Sequence, residues 1–229
     1  LDLISHAGAS VIWYENNSSS KSVADRITFE DYRTSEQNSI CNPECRDEGM
    51  LVNLQSYIDD QNDKDILIIL HTMGSHGPAY YKRYPEEFEV FVPVCKTSQL
   101  NECNDQEISN AYDNTILYAD YFLSKVIGLL KRNSQESDTA MFYVSDHGES
   151  LGENGLYLHG MPYFMAPDEQ IDVPALMWLN DSMSKVFDVE SIKKKEDLPL
   201  SHDNLFHTLL GLMDVETKLY DESLDLMAK

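Results

Sequence analysis

An aspartate and a histidine stand side by side at Asp146-His147-Gly148, directly after the apolar run 139–144. A carboxylate oxygen and an imidazole nitrogen on neighbouring residues can both reach one divalent ion if the backbone turns sharply, and Gly148 permits such a turn. Oxygen plus nitrogen ligation suits zinc best, with manganese as the second choice. His76 and His159 each precede a glycine, in Ser75-His76-Gly77 and Leu158-His159-Gly160. They are candidates for a second metal or for holding a phosphoryl group. The competing reading is an Asp–His structural pair and two loop histidines with local hydrogen bonds. Three such segments placed after candidate strands favour the metal site.

The four cysteines form two close pairs, Cys41 with Cys45 and Cys95 with Cys103, in polar, turn-rich stretches. Four cysteines permit three connectivities. Short exposed loops favour local pairing, 41 with 45 and 95 with 103. A zinc cluster of four cysteines is the alternative, although zinc knuckles favour two to four intervening residues in each half. Disulfides would imply an oxidising compartment, the periplasm or the exterior.

The elements that must position these residues alternate. Residues 9–14 read as a strand, 15–21 as a loop, and 49–57 as a helical stretch carrying Met50, Leu51 and Leu54. The run 65–71 is apolar without a break from Ile66 to Leu70, as in a strand buried on both faces. Residues 105–131 place Ile108, Ala111, Thr115, Ala119, Phe122, Val126 and Leu130 on one face of a long amphipathic helix. Runs 139–144 and 173–179 read as two further buried strands, and Ser201 as the cap of a helix through Leu212. This alternation predicts one α/β domain over residues 1–229, an α/β/α sandwich with a mostly parallel central sheet. In such sheets ligands bind beyond the carboxyl ends of the strands, where His71, His76 and His147 fall. Leu1 to Gly8 reads as the last turns of a helix stopped at Gly8. A chain that opens inside a helix is expected to be part of a longer protein, or else a mature protein with a frayed start.

Seventeen basic against forty acidic residues give a formal charge of −23. That excludes nucleic-acid binding through a basic face and adhesion to anionic lipid by charge alone. No apolar run approaches the roughly 20 residues of a membrane span. Trp13 and Trp178 read as core, and Glu15, Asp25, Glu30 and Asp31 as a solvated acidic face. The lysines 193–195 read as a loop, His202 as a capping or hydrogen-bonding residue, and His6 and His207 as packing residues.

Ser75-His76-Gly77-Pro78, the run Val144-Ser145-Asp146-His147-Gly148-Glu149-Ser150-Leu151-Gly152-Glu153-Asn154-Gly155, and Tyr157-Leu158-His159-Gly160 closely resemble the alkaline phosphatase/sulfatase superfamily. Within it they look like the phosphoethanolamine transferases of Gram-negative inner membranes, including the colistin-resistance enzymes. Asn16-Asn17-Ser18, Lys21, Cys45-Arg46-Asp47, Asn110-Ala111-Tyr112-Asp113-Asn114 and Ser201-His202-Asp203 extend the resemblance over nearly the whole chain.

The resemblance implies a zinc enzyme on the periplasmic face of the inner membrane, held there by N-terminal helices absent from this chain. It implies transfer of phosphoethanolamine from phosphatidylethanolamine to lipid A through a phosphothreonine. By residue, it implies Asp146 and His147 as ligands of the catalytic zinc. His76 and His159 would bind a second zinc or the phosphoryl oxygens, and Asn17 and Lys21 would line the substrate pocket. By the same resemblance Cys95 with Cys103 matches a family disulfide, and Cys41 with Cys45 another with a shorter loop. It also implies a departure: the nucleophilic threonine and a glutamate ligand fall before Leu1, so the fold is expected to lack its N-terminal strand and helix and the isolated chain to be inactive. A non-catalytic fragment of that fold, or a phosphoglycerol transferase or phosphodiesterase of the same superfamily, is the alternative.

Overall fold

The computed structural model describes residues 1–61 and 64–228. In chain order its helices are α1 (Asp2–His6), α2 (Leu54–Asp59), α3 (Asp105–Asn133), α4 (Asp168–Ile171), α5 (Met183–Val186), α6 (Val189–Lys193) and α7 (Asp203–Leu212). Its strands are β1 (Ser10–Glu15), β2 (Thr28–Asp31), β3 (Ile66–His71), β4 (Ala140–Val144), β5 (Ser150–Leu151), β6 (Tyr157–Leu158) and β7 (Ala175–Leu179). The centre is a parallel sheet in the order β2-β1-β3, with Ser10 opposite Ile66 and Glu15 opposite His71.

Side chains alternate across a strand, so β1 and β3 feed two layers. Ile12, Tyr14, Ile68 and Leu70 point to one face, where Phe122, Val126 and Leu129 of α3 and Leu54 of α2 cover them. Val11, Leu67 and Ile69 point to the other, against Ile4 of α1 and Leu209 and Leu210 of α7. The result is the expected α/β/α arrangement around a parallel sheet. Helix α3 opens on a full capping box: Asn104 Oδ1 accepts from Glu107 N–H, and Glu107 Oε2 accepts from Asn104 N–H, both at 3.0 Å. Both predicted disulfides are present, Cys41–Cys45 and Cys95–Cys103.

Several local expectations differ. The 173–179 run is a strand but not a fully buried one; β7 pairs antiparallel with β4, and its first residues, Ala175 and Leu176, are exposed. The run 65–71 is not buried on both faces. All six residues of β3 are half-buried, as are all five of β4, because the two strands flank a shared cleft of 1320 Å³. Each is hydrogen-bonded on its other side, β3 to β1 and β4 to β7. Leu205, Leu209 and Leu212 of α7 line this cleft, while Thr208 and Leu210 are the buried members of that helix. The helical stretch near 50 divides into a 3-10 turn, Asp47–Leu51, and α2, and Gly49 lies directly against the Asn38 side chain, which leaves no room for a Cβ. Trp13 and Trp178 are half-buried and outside the sealed core. No helix among the described residues is long and apolar enough to cross a membrane.

Candidate metal centre

Three loops converge beyond the carboxyl ends of β3 and β4. The loop after β3 carries His76, the loop after β4 carries Asp146 and His147, and the residue after β6 is His159. One ligand nitrogen from each of His76, His147 and His159 lies within 4.8 Å of the other two. The His147 and His159 rings stack with centroids 3.7 Å apart, and the His76 ring stands edge-on to His159 at 5.2 Å.

Hydrogen bonds determine which nitrogen each ring offers. His76 Nδ1 lies 2.8 Å from the Gly77 carbonyl, and His147 Nδ1 lies 3.0 Å from the Gly148 carbonyl. His159 Nδ1 lies 3.2 Å from Glu149 Oε1. A carbonyl or carboxylate oxygen only accepts, so each Nδ1 donates and each Nε2 keeps its lone pair. Three imidazoles that each keep one unprotonated nitrogen and gather within 4.8 Å are a donor set for a divalent ion. Imidazole nitrogen is among the ligand types that zinc takes. The residues therefore fit the metal.

Asp146 lies at the rim of this group. Its side chain is largely exposed, Oδ1 accepts from His147 N–H, and Oδ2 is 3.8 Å from His147 Nε2. The structure thus gathers His76, His147 and His159 into one cluster, with Asp146 beside it, where the sequence suggested two pairs. Gly148 matters for space more than for a turn: a Cβ there would lie 2.1 Å from the Glu169 carbonyl oxygen, and its N–H donates to Gln170 O at 3.0 Å.

Asn17 lines the same cleft as the histidines. Its N–H donates to Glu15 Oε1 at 2.8 Å, and its Nδ2 donates to Thr72 O at 3.1 Å. Lys21 is exposed on a left-handed turn (φ 49) and is not among the residues lining the cleft. The loop joining them is pinned by Arg33, which donates to Ser18 O at 2.7 Å and forks onto Asp31. That fork holds the Asp31 carboxyl below its ordinary range. His202 Nε2 bonds Ser145 O at 2.8 Å, tying the start of α7 to the Asp146 loop.

Three buried carboxylates escaped the sequence reading. Glu149, 7% exposed, accepts from Gly77 N–H, Tyr80 OH and His159 Nδ1, so one carboxylate orients two of the histidine loops. Burial, reinforced by this carboxylate, pushes the Tyr80 phenol far above its usual value, keeping it a donor. Asp47 accepts from Asn16 Nδ2, Met73 N–H and Gly74 N–H at 2.7, 2.8 and 3.0 Å, clasping the turn before His76. Its own burial raises its pKa.

Glu15 corrects the solvated-face expectation. It is 0% exposed and accepts from His71 Nδ1, Trp13 Nε1 and Asn17 N–H. Its place at the carboxyl end of β1 was the available signal.

A family model for sulfatases matches residues 3–215. The phosphatidylethanolamine transferase Mcr-2 of Escherichia coli is 48% identical over 222 residues, covering 94% of this chain and 40% of that protein. The soluble domain of lipooligosaccharide phosphoethanolamine transferase A from Neisseria meningitidis superposes with a TM-score of 0.94 at 40% identity, covering 99% of this chain and 69% of that one. The C-terminal periplasmic domain of phosphoethanolamine transferase EptC from Campylobacter jejuni gives 0.87 at 43% identity, covering 99% and 69%. The chain spans about two fifths of the length of the curated relatives it matches.

Proposed function

This chain belongs to the sulfatase family and, within it, to the phosphoethanolamine transferases, and from that premise we propose that residues 1–229 form part of a periplasmic catalytic domain. The parent enzyme moves phosphoethanolamine from phosphatidylethanolamine to a lipid A phosphate at the inner membrane of a Gram-negative cell. The added ethanolamine cation lowers the negative charge of lipid A, and with it the affinity for cationic polymyxins such as colistin.

The observation that carries this reading is the convergence of one ring nitrogen from each of His76, His147 and His159 beyond the strand ends. His147, with Asp146 at the rim, would hold a catalytic zinc, and His76 and His159 of the same cluster would hold a second ion or the oxygens of the transferring phosphoryl group. Zinc there would supply a Lewis acid for a phosphoryl oxygen and lower the pKa of an alcohol nucleophile. Glu149 fixes the His159 tautomer and orients its ring. Asn17, held by Glu15 and the Thr72 carbonyl, binds the phosphoethanolamine group, while Lys21 stands exposed outside the cleft lining. The nucleophile is a threonine outside residues 1–229. The cleft between β3 and β4, each with one side free of a paired strand, receives a strand from that additional segment.

Two measurements test this. Zinc titration of the 229-residue chain yields binding that His147→Ala abolishes. Intact mass after incubation with phosphatidylethanolamine shows no covalent phosphoethanolamine on this chain, but does show it on a protein with the full length of the curated relatives. A covalent adduct on residues 1–229, or no zinc binding, overturns the reading.

A further inference from the structure

Between His159 and α4 the chain runs Gly160-Met161-Pro162-Tyr163-Phe164-Met165-Ala166-Pro167, without a charged residue. Tyr163, Phe164 and Met165 form a turn closed by Met165 N–H and Ala166 N–H, which both donate to Pro162 O at 2.8 and 2.9 Å. Their exposures are 81%, 85% and 57%. Single exposed apolar residues are ordinary, whereas three consecutive large ones held in water mark an interaction surface.

The turn has a fixed base. Gln170, buried, accepts from Met161 N–H at 3.4 Å through Oε1 and donates to Ser150 Oγ at 2.9 Å through Nε2, while its carbonyl accepts from Gly148 N–H. Pro162 and Pro167 restrict the backbone at both ends, which lowers the entropy cost of presenting the tip. The base is therefore joined to the backbone that carries His147, and only the tip projects. Phe164 is five residues from His159, so their Cα atoms are at most roughly 18 Å apart.

We propose that the Tyr163-Phe164-Met165 turn is a membrane contact that seats in the headgroup–acyl boundary of a zwitterionic bilayer, beside the metal centre. Tyr combines an apolar ring with a polar tip and suits that boundary, and Phe and Met supply apolar area. A chain of charge −23 gains nothing from anionic headgroups, so apolar insertion is the mode open to it. The inference rests on reading the phosphoryl donor as a membrane lipid. An interfacial foot this close to His159 holds the histidines at the depth where a lipid phosphate lies.

The test uses the 229-residue chain with phosphatidylcholine vesicles. Flotation with the vesicles is expected, and the triple variant Tyr163→Ser, Phe164→Ser, Met165→Ser should lower partitioning by at least about tenfold. Circular dichroism should match the wild type, because the three side chains lie outside the core. A Phe164→Trp variant should show a blue-shifted emission component, quenched by brominated acyl chains and absent from the parent protein.

Vesicles with and without phosphatidylethanolamine should bind equally, because the turn reads the boundary and not the headgroup. Binding only with phosphatidylethanolamine overturns the proposal while leaving the lipid-donor reading intact. Equal flotation of the triple variant overturns it, as does self-association that the variant abolishes without any lipid contact. Should the full-length protein fail to use phosphatidylethanolamine while the turn still inserts, only the donor reading falls.

Discussion

Replacing Glu149 by Gln isolates the carboxylate that links two of the histidine loops. In the native arrangement Glu149 accepts from Gly77 N–H at 3.1 Å, Tyr80 OH at 3.3 Å and His159 Nδ1 at 3.2 Å. A glutamine offers one acceptor oxygen and one donor NH₂ in the same volume. Gly77 N–H and His159 Nδ1 both meet Oε1, whereas Tyr80 OH meets Oε2, so a glutamine oxygen kept at the Oε1 position turns the NH₂ group toward the Tyr80 hydroxyl, which must then accept. His159 Nδ1 keeps an acceptor but loses its bond to a charged carboxylate, which makes Nε2 a weaker donor to any metal held there. Losses of partners one step behind a metal ligand typically weaken binding by 10–100-fold, about 1.4–2.8 kcal/mol. The fold itself should lose less, because the variant also removes a buried charge, whose desolvation opposes folding.

The assay is competition for zinc against a chromophoric chelator, with the His159 tautomer read from two-bond nitrogen–proton couplings. The expected result is zinc affinity reduced by roughly 10–100-fold, with His159 Nδ1 still protonated in the apo variant and the melting temperature little changed. Unchanged zinc affinity would refute the argument that the Glu149 charge strengthens His159 as a metal donor.

Other outcomes follow from separate contacts. Gly148→Ala places a Cβ 2.1 Å from the Glu169 carbonyl oxygen, so α4 must shift; a loss on the order of 1–3 kcal/mol in urea unfolding is expected, and zinc affinity should fall with it. Asp47→Ala leaves Asn16 Nδ2, Met73 N–H and Gly74 N–H without their acceptor. It should cost about 1–3 kcal/mol or more and raise hydrogen exchange across the turn before His76, measured by mass spectrometry.

Tyr220 donates to Asp225 Oδ2 at 2.6 Å, and that bond raises its pKa from 10.0 to about 12. The folded value lies above the unfolded one, so this contribution is complete below pH 10 and disappears as pH rises through 12. Phenolate absorbance should show one tyrosine titrating near 12, and Asp225→Asn should bring it back toward 10.

Much of the site was legible because its signals are local. A strand that ends in Asp146-His147-Gly148 announces itself by an apolar run followed by ligand-type residues. The two disulfides close short polar loops, so their pairing follows from proximity in sequence. The amphipathic period of 105–131 recovers α3 to within two residues of its observed end at Asn133. The 173–179 run was rightly read as a strand, but apolar content gives neither its direction nor its burial: β7 runs antiparallel to β4 and its first two residues are exposed.

The sequence by itself determined the chemical types at the strand ends and the layers that carry them, since both depend on residue identity and short-range periodicity. Only the tertiary structure decided that His76, His147 and His159 share one cluster, and that Glu15, Asp47 and Glu149 are buried acceptors. Their donors lie far along the chain: His71 is 56 residues from Glu15, Gly74 is 27 from Asp47, and Gly77 is 72 from Glu149. Whether an acidic side chain is solvated or buried depends on finding such donors. No local pattern records them, because they are brought together only when β1, β3 and β4 end at the same side of the molecule.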